Sequence, residues 1–170
     1  VPGLSIYNAD RMSLENDLRA ALRNNEFVLH YQPQICLATD QVIGAEALIR
    51  WHHPKRGLLS PLHFIPAAEE NGMVVDIGRW VLREACRQCQ QWNLAYDASL
   101  RIAVNISALE FRQSDFVEQV RVILNETGLT PRHLELELTE SMVMHHIGTV
   151  QDILKELKRM GVLLALDDFG

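Results

Sequence analysis

The order of strand-like and helix-like segments predicts an α/β fold, a TIM-barrel-like (β/α)8 arrangement. It has an antiparallel strand near the start, and the carboxyl-terminal part of the barrel is absent from this sequence. Three observations carry that expectation. From residue 100 onward strands and helices alternate, which implies right-handed crossovers and a parallel sheet. The run Val162-Leu163-Leu164-Ala165-Leu166 is apolar without alternation, as in a strand covered on both faces. Asn105, Glu137 and Asp167 stand 32 and 30 residues apart, one strand-plus-helix repeat each, so the fold brings them to neighbouring strand ends. An open doubly wound sheet shares this cadence, but no Gly-rich phosphate loop follows the first strand. A closed eight-stranded barrel takes roughly 250 residues. Five strands are legible in the 170 residues here.

In chain order, residues 1–12 read as a linker from an upstream domain, because Pro2-Gly3 marks a turn and no periodicity follows. A helix is expected from about Ser13, with Leu14, Leu18, Ala21 and Leu22 on one face and Asn24-Asn25 at its end. Residues 27–34 and 41–50 read as two strands joined by Ala38-Thr39-Asp40, an antiparallel hairpin. Ser60-Pro61 signals a helix start with Ser60 as N-cap, closed by Gly72, and residues 75–92 form a longer helix striped by Ile77, Val81 and Ala85. The cadence then runs strand 100–106, helix 114–127 closed by Gly128, strand 134–138, helix 148–160 closed by Gly161, and strand 162–166.

Composition narrows the function. At 48% hydrophobic and 22% charged residues the chain has an ordinary globular balance, with no apolar run near the roughly 20 residues of a membrane span. No secretory signal opens it, so a cytoplasmic location is expected, including the cytosolic part of a larger membrane-anchored protein. A net charge of −6 without a basic stripe argues against long nucleic acid as a partner. Cys36, Cys86 and Cys89 are odd in number, and the Cys86/Cys89 pair falls inside a helix without a second ligand pair, which reads as helix packing.

The chemistry-bearing residues are carboxylates and an amide: Glu46, Asn105, Glu137 and the tandem Asp167-Asp168. Hard oxygen donors with no Cys or His interleaved suit Mg²⁺ or Mn²⁺ better than Zn²⁺ or copper. Carboxylates converging in one cleft raise one another's pKa unless a cation lies between them. Two divalent ions about 3.5–4 Å apart would make a nucleophile of water near neutral pH and neutralise transition-state charge. Tandem aspartates diverge at a strand end and can address two different ions.

Glu46-Ala47-Leu48, continuing through Ile49, Arg50 and Trp51, resembles the signature of the EAL-domain phosphodiesterases, bacterial enzymes that open cyclic-di-GMP. The match extends in family order through Tyr31-Gln32-Pro33, Phe64-Ile65-Pro66 with Ala68-Glu69, Val104-Asn105-Ile106-Ser107, Glu137-Leu138-Thr139-Glu140-Ser141 and Asp167-Asp168-Phe169-Gly170. It covers residues 13–170, the stretch read as the domain proper. The resemblance implies two divalent cations, Mg²⁺ or Mn²⁺. Glu46, Asn105, Glu137 and Asp167 would hold one, and Asp168 with Asp167 the other. It implies that Gln32, Leu48 and Arg50 contact the dinucleotide, and that Glu140 orders the loop beside the metals without touching substrate. The implied reaction is in-line attack on one phosphodiester, giving linear pGpG. A homodimer and a fused upstream sensory or diguanylate cyclase domain are implied as well.

The family pattern continues past Gly170 with a catalytic lysine and further acids. The only lysines here are Lys55, Lys155 and Lys158, read as lying away from strand ends. Taken alone, the 170 residues are therefore expected to be inactive, with an open sheet edge. The alternative function is an inactive EAL domain that binds cyclic-di-GMP as a sensor or interaction module. An enolase-like lyase is a third option, and it would require a lysine or histidine base at a strand end. The remaining polar residues have plainer readings. Glu135 is expected to pair with a neighbouring arginine, Glu69-Glu70 to be a solvated helix end, Trp51 to pack, and His52-His53 and His145-His146 to be loop or surface residues.

Overall fold

The computed structural model describes residues 2–144 and 147–167. A six-stranded mixed sheet organises them, in the order β1-β2-β4-β5-β6, with β3 paired on the side to β2. The strands are β1 (Phe27–Cys36), β2 (Gln41–His53), β3 (Gly57–Leu59), β4 (Arg101–Asn105), β5 (Leu134–Thr139) and β6 (Leu163–Asp167). β1 and β2 form the expected antiparallel hairpin, and β2, β4, β5 and β6 run parallel. This is an arc of a TIM-barrel-like fold.

Three long helices make the crossovers: α3 (Val74–Tyr96), α5 (Phe116–Thr127) and α7 (Ile147–Met160). Their apolar stripes cover one face of the sheet. Ile102 and Val104 of β4 and Leu134, Leu136 and Leu138 of β5 join Ile77, Leu82, Val120, Ile123 and Leu157 in a single core. β5 shows why: in Leu-Glu-Leu-Glu-Leu-Thr the leucines are buried and the intervening residues are not. Trp51 is fully buried against Phe27 and Phe64, its indole N–H donating to Glu26 at 2.9 Å, so the packing reading of that residue holds. Cys86 and Cys89 are free thiols buried on α3, and burial pushes them up to about 12 and about 11. They are packing residues too.

Several local expectations need correction. The first helix, α1 (Pro2–Ala21), begins at Pro2 rather than near Ser13, so residues 2–12 of the stretch read as a linker are helical. Proline at the first helical position lacks only an N–H that would be unpaired anyway. The helix expected from Ser60 is split into a 3₁₀ turn, Pro61–His63, and α2 (Ile65–Glu70). Ser60 bonds the His63 ring at 3.0 Å instead of capping backbone. Two short helices, α4 (Ala108–Phe111) and α6 (Glu140–Met144), and strand β3 lie below the length at which periodicity registers.

The histidine reading fails at His53, which is 3% exposed at the end of β2. Its Nδ1 accepts the backbone N–H groups of Lys55 and Arg56, which leaves Nε2 to donate to Asp17 of α1 at 3.0 Å. Alternation sends His52 to solvent and His53 inward, and only the approach of α1 supplies the partner. His145-His146 lie outside the described residues. Lys55 does lie just past a strand end, in the turn from β2 to β3, but nine residues beyond Glu46. The extended stretch from Glu46 to His53 alone spans about 23 Å.

Candidate active site

The register of the sheet decides which side chains meet. Gln32 lies directly opposite Glu46, Asn105 opposite Glu137, and Thr139 opposite Asp167, while Glu46 is level with Ala103 and Glu137 with Ala165. Residues paired across a ladder share a face, so Gln32, Glu46, Leu48, Arg50, Asn105, Glu137, Thr139 and Asp167 all project from the side opposite the helices. Glu46, Asn105 and Asp167 climb by two residues between successive levels of the ladder. Strands of a barrel are tilted and sheared against one another, and that stagger brings such residues into one layer at the rim.

Asn105 and Glu46 touch: the amide Nδ2 donates to Glu46 Oε1 at 2.8 Å, joining side chains 59 positions apart. Glu137 is pushed up to about 7. Burial contributes most, followed by the charges of Glu46, Glu135 and Asp167 and a hydrogen bond with Glu46. Glu135 points the same way one pair lower, where Arg101 reaches it at 3.8 Å, the partnership expected for it. Arg50 turns its guanidinium onto the Ile49 carbonyl at 2.8 Å. Glu140 opens α6 directly after β5 and is exposed, as are Glu69 and Glu70 at the end of α2. Asp168 lies outside the described residues.

The donor set suits a hard divalent cation. Among the described residues no three acidic, His or Cys side chains close on a common point. Glu46 is nevertheless joined to both Asn105 and Glu137 through hydrogen bonds. Burial and then the neighbouring acidic charges push Glu137 upward, and a cation bound there would offset both.

Beside Asn105 and Thr139 the rim opens into a largely apolar cavity of ≈ 480 Å³, walled by Leu48, Ile65, Glu69 and Ile77. Its floor includes a feature that sequence reading missed. Ser107, two residues past Asn105, caps α4 in a reciprocal box with Glu110. The S-x-x-E pattern of Ser107-Ala108-Leu109-Glu110 was there to be read.

The EAL domain family model matches residues 15–170. The chain belongs to the EAL domain family. The EAL domain is 46% identical over 161 residues to the bifunctional diguanylate cyclase/cyclic di-GMP phosphodiesterase MucR of Pseudomonas aeruginosa, covering 95% of this chain and 24% of that protein. It is 42% identical over 167 residues to the cyclic di-GMP phosphodiesterase NbdA of the same organism, covering 98% of this chain and 21% of the relative. The solved structure of the PaMucR phosphodiesterase in complex with c-di-GMP superimposes with a TM-score of 0.89 at 47% identity, over 93% of this chain and 64% of that one. The chain thus spans about a quarter or less of the length of these curated relatives. No helix among the described residues is long and apolar enough to cross a membrane.

Proposed function

We propose that this EAL domain, within its full-length protein, hydrolyses cyclic-di-GMP to linear pGpG with the help of two divalent cations, Mg²⁺ or Mn²⁺. One observation carries the reading: the register sets Glu46, Asn105, Glu137 and Asp167 on one face, with Asn105 hydrogen-bonded to Glu46 at 2.8 Å and Gln32, Leu48 and Arg50 on the same face. Glu46, Asn105, Glu137 and Asp167 would hold one ion, and Asp167 with Asp168 the other. The ions supply Lewis-acid charge neutralisation and a nucleophile from water at neutral pH.

The chain's own residues do the rest. Arg50 swings from the Ile49 carbonyl to a phosphate, Gln32 and Leu48 seat the nucleotide, and the apolar cavity receives part of a base. Glu137, pushed up by burial and then by its acidic neighbours, would be held as the carboxylate by the positive charge of a bound cation. Water adds in line to phosphorus, one P–O bond of one phosphodiester breaks, and the proton lost by the water ends on the freed oxygen. Support for the substrate comes from MucR and NbdA, which are named as acting on cyclic di-GMP, and from the c-di-GMP complex of PaMucR. We further propose a cytoplasmic homodimer with an upstream sensory or cyclase domain, in keeping with the small share of each relative that the chain covers.

The test is turnover of cyclic-di-GMP by the full-length protein in Mg²⁺ or Mn²⁺, followed by chromatography of the product. Formation of pGpG that disappears with Glu46→Gln is the expected result. Tight nucleotide binding without any cleavage would replace this reading with that of a sensor.

A further inference from the structure

Behind the strand end that carries Asn105 lies a buried carboxyl group with no part in the mechanism above. Glu110 is 6% exposed. Its Oε2 accepts the Ser107 backbone N–H at 2.9 Å, and Ser107 Oγ accepts the Glu110 N–H at 3.2 Å. The pair closes the short link between Asn105 and α4.

On its far side the carboxyl group presses into α3 at Gly78. A Cβ at that position would stand 1.7 Å from Glu110 Oε1, so any larger residue there must displace the carboxyl group. Burial pushes Glu110 up to about 7 against the pull of its two bonds with Ser107, and Glu69 of α2 adds to the push. A surface Ser-Glu box would cap a four-residue helix without that desolvation cost. Gly78, Ser107 and Glu110 line the same cavity as Asn105.

We propose that Glu110 is a positioning residue for Asn105: by holding Ser107 and wedging into the glycine notch of α3, it sets the height and angle at which the Asn105 amide enters the acidic rim. The inference rests on the reading of that rim as a divalent-metal site. Glu110 touches neither metal nor nucleotide, and it acts through the two residues that follow Asn105.

The experiment compares Mn²⁺ affinity, by calorimetry, and melting temperature in the full-length wild type, Glu110→Ala, Glu110→Gln, Ser107→Ala and Gly78→Ala. Glu110→Ala should weaken Mn²⁺ binding about tenfold, the lower end of what outer partners of metal ligands contribute. Gly78→Ala, which evicts the carboxyl group, should follow it. Glu110→Gln should restore wild-type affinity, because its amide oxygen still accepts from Ser107. If Glu110→Ala does not fold, Ser107→Ala and Gly78→Ala decide the matter: weakened Mn²⁺ binding supports the inference, and unchanged affinity overturns it. A lower melting temperature with unchanged Mn²⁺ affinity would make Glu110 a structural cap and end the proposal. Wild type that binds Mn²⁺ but leaves cyclic-di-GMP intact would remove the functional reading while the affinity series still judged Glu110. Wild type without Mn²⁺ binding would sink both.

Discussion

The two faces of β4 and β5 are built from alternate residues of the same short strands, yet they obey opposite rules. Outward, Ile102, Val104, Leu134, Leu136 and Leu138 are all buried under the helices. Inward, Arg101, Asn105, Glu135, Glu137 and Thr139 stay at least partly accessible and form a charged surface, where burial and then the acidic neighbours raise the pKa of Glu137. The outer face stabilises the fold by removing apolar area from water. The inner face holds like charges together at a cost that the outer face offsets. Neighbouring residues on one strand should therefore fail in different ways when changed.

The largest expected effect is on the inner face. Glu137→Gln should lower cyclic-di-GMP hydrolysis by about three orders of magnitude, the scale of losing several kcal/mol of charge stabilisation, while the melting temperature of the metal-free protein does not fall. Steady-state kinetics beside a thermal melt would check both halves, and a large drop in melting temperature would break the division of labour. Next in size is the adjacent Leu136→Ala, which should cost about 2–5 kcal/mol of stability in a denaturant titration, with the affinity for Mg²⁺ retained in whatever fraction is folded.

The acid dependence sharpens the contrast further. Glu137 has a folded-state pKa near 7 against an ordinary 4.5, so its contribution to metal-free stability is fully present below about pH 4.5 and is lost as pH rises through 7. Divalent ions should then raise the melting temperature more at pH 8 than at pH 5, and Glu137→Gln should flatten that difference. An equal metal response at both pH values would contradict the origin assigned to the shift. The smallest effect belongs to Arg101→Ala. Its 3.8 Å pairing with Glu135 is partly solvated, so its removal should cost less than about 1 kcal/mol, detectable only in a careful denaturant series.

Much of this was legible in advance where the signal was local and periodic. The alternation in β5, the glycine stops after α5 and α7, and the spacing of Asn105, Glu137 and Asp167 each pointed to the elements that form. Short elements were lost, because four or five residues of α4 or α6 hold barely one turn. The start of α1 was lost because Pro2-Gly3 reads as a turn signal as readily as a helix start. His53 was misread for a different reason. Its partner, Asp17, is 36 positions away on another element, and no local pattern encodes that meeting.

The residue order alone determined the five longer strands, the repeat that makes the later ones parallel, and the oxygen chemistry concentrated at their ends, because periodicity and side-chain type are properties of the chain. The tertiary structure decided the stagger that brings Glu46 to Asn105, the desolvation that lifts Glu137 and Glu110, and the glycine notch that receives Glu110. Those depend on distances and dielectric surroundings that exist only once remote segments pack together.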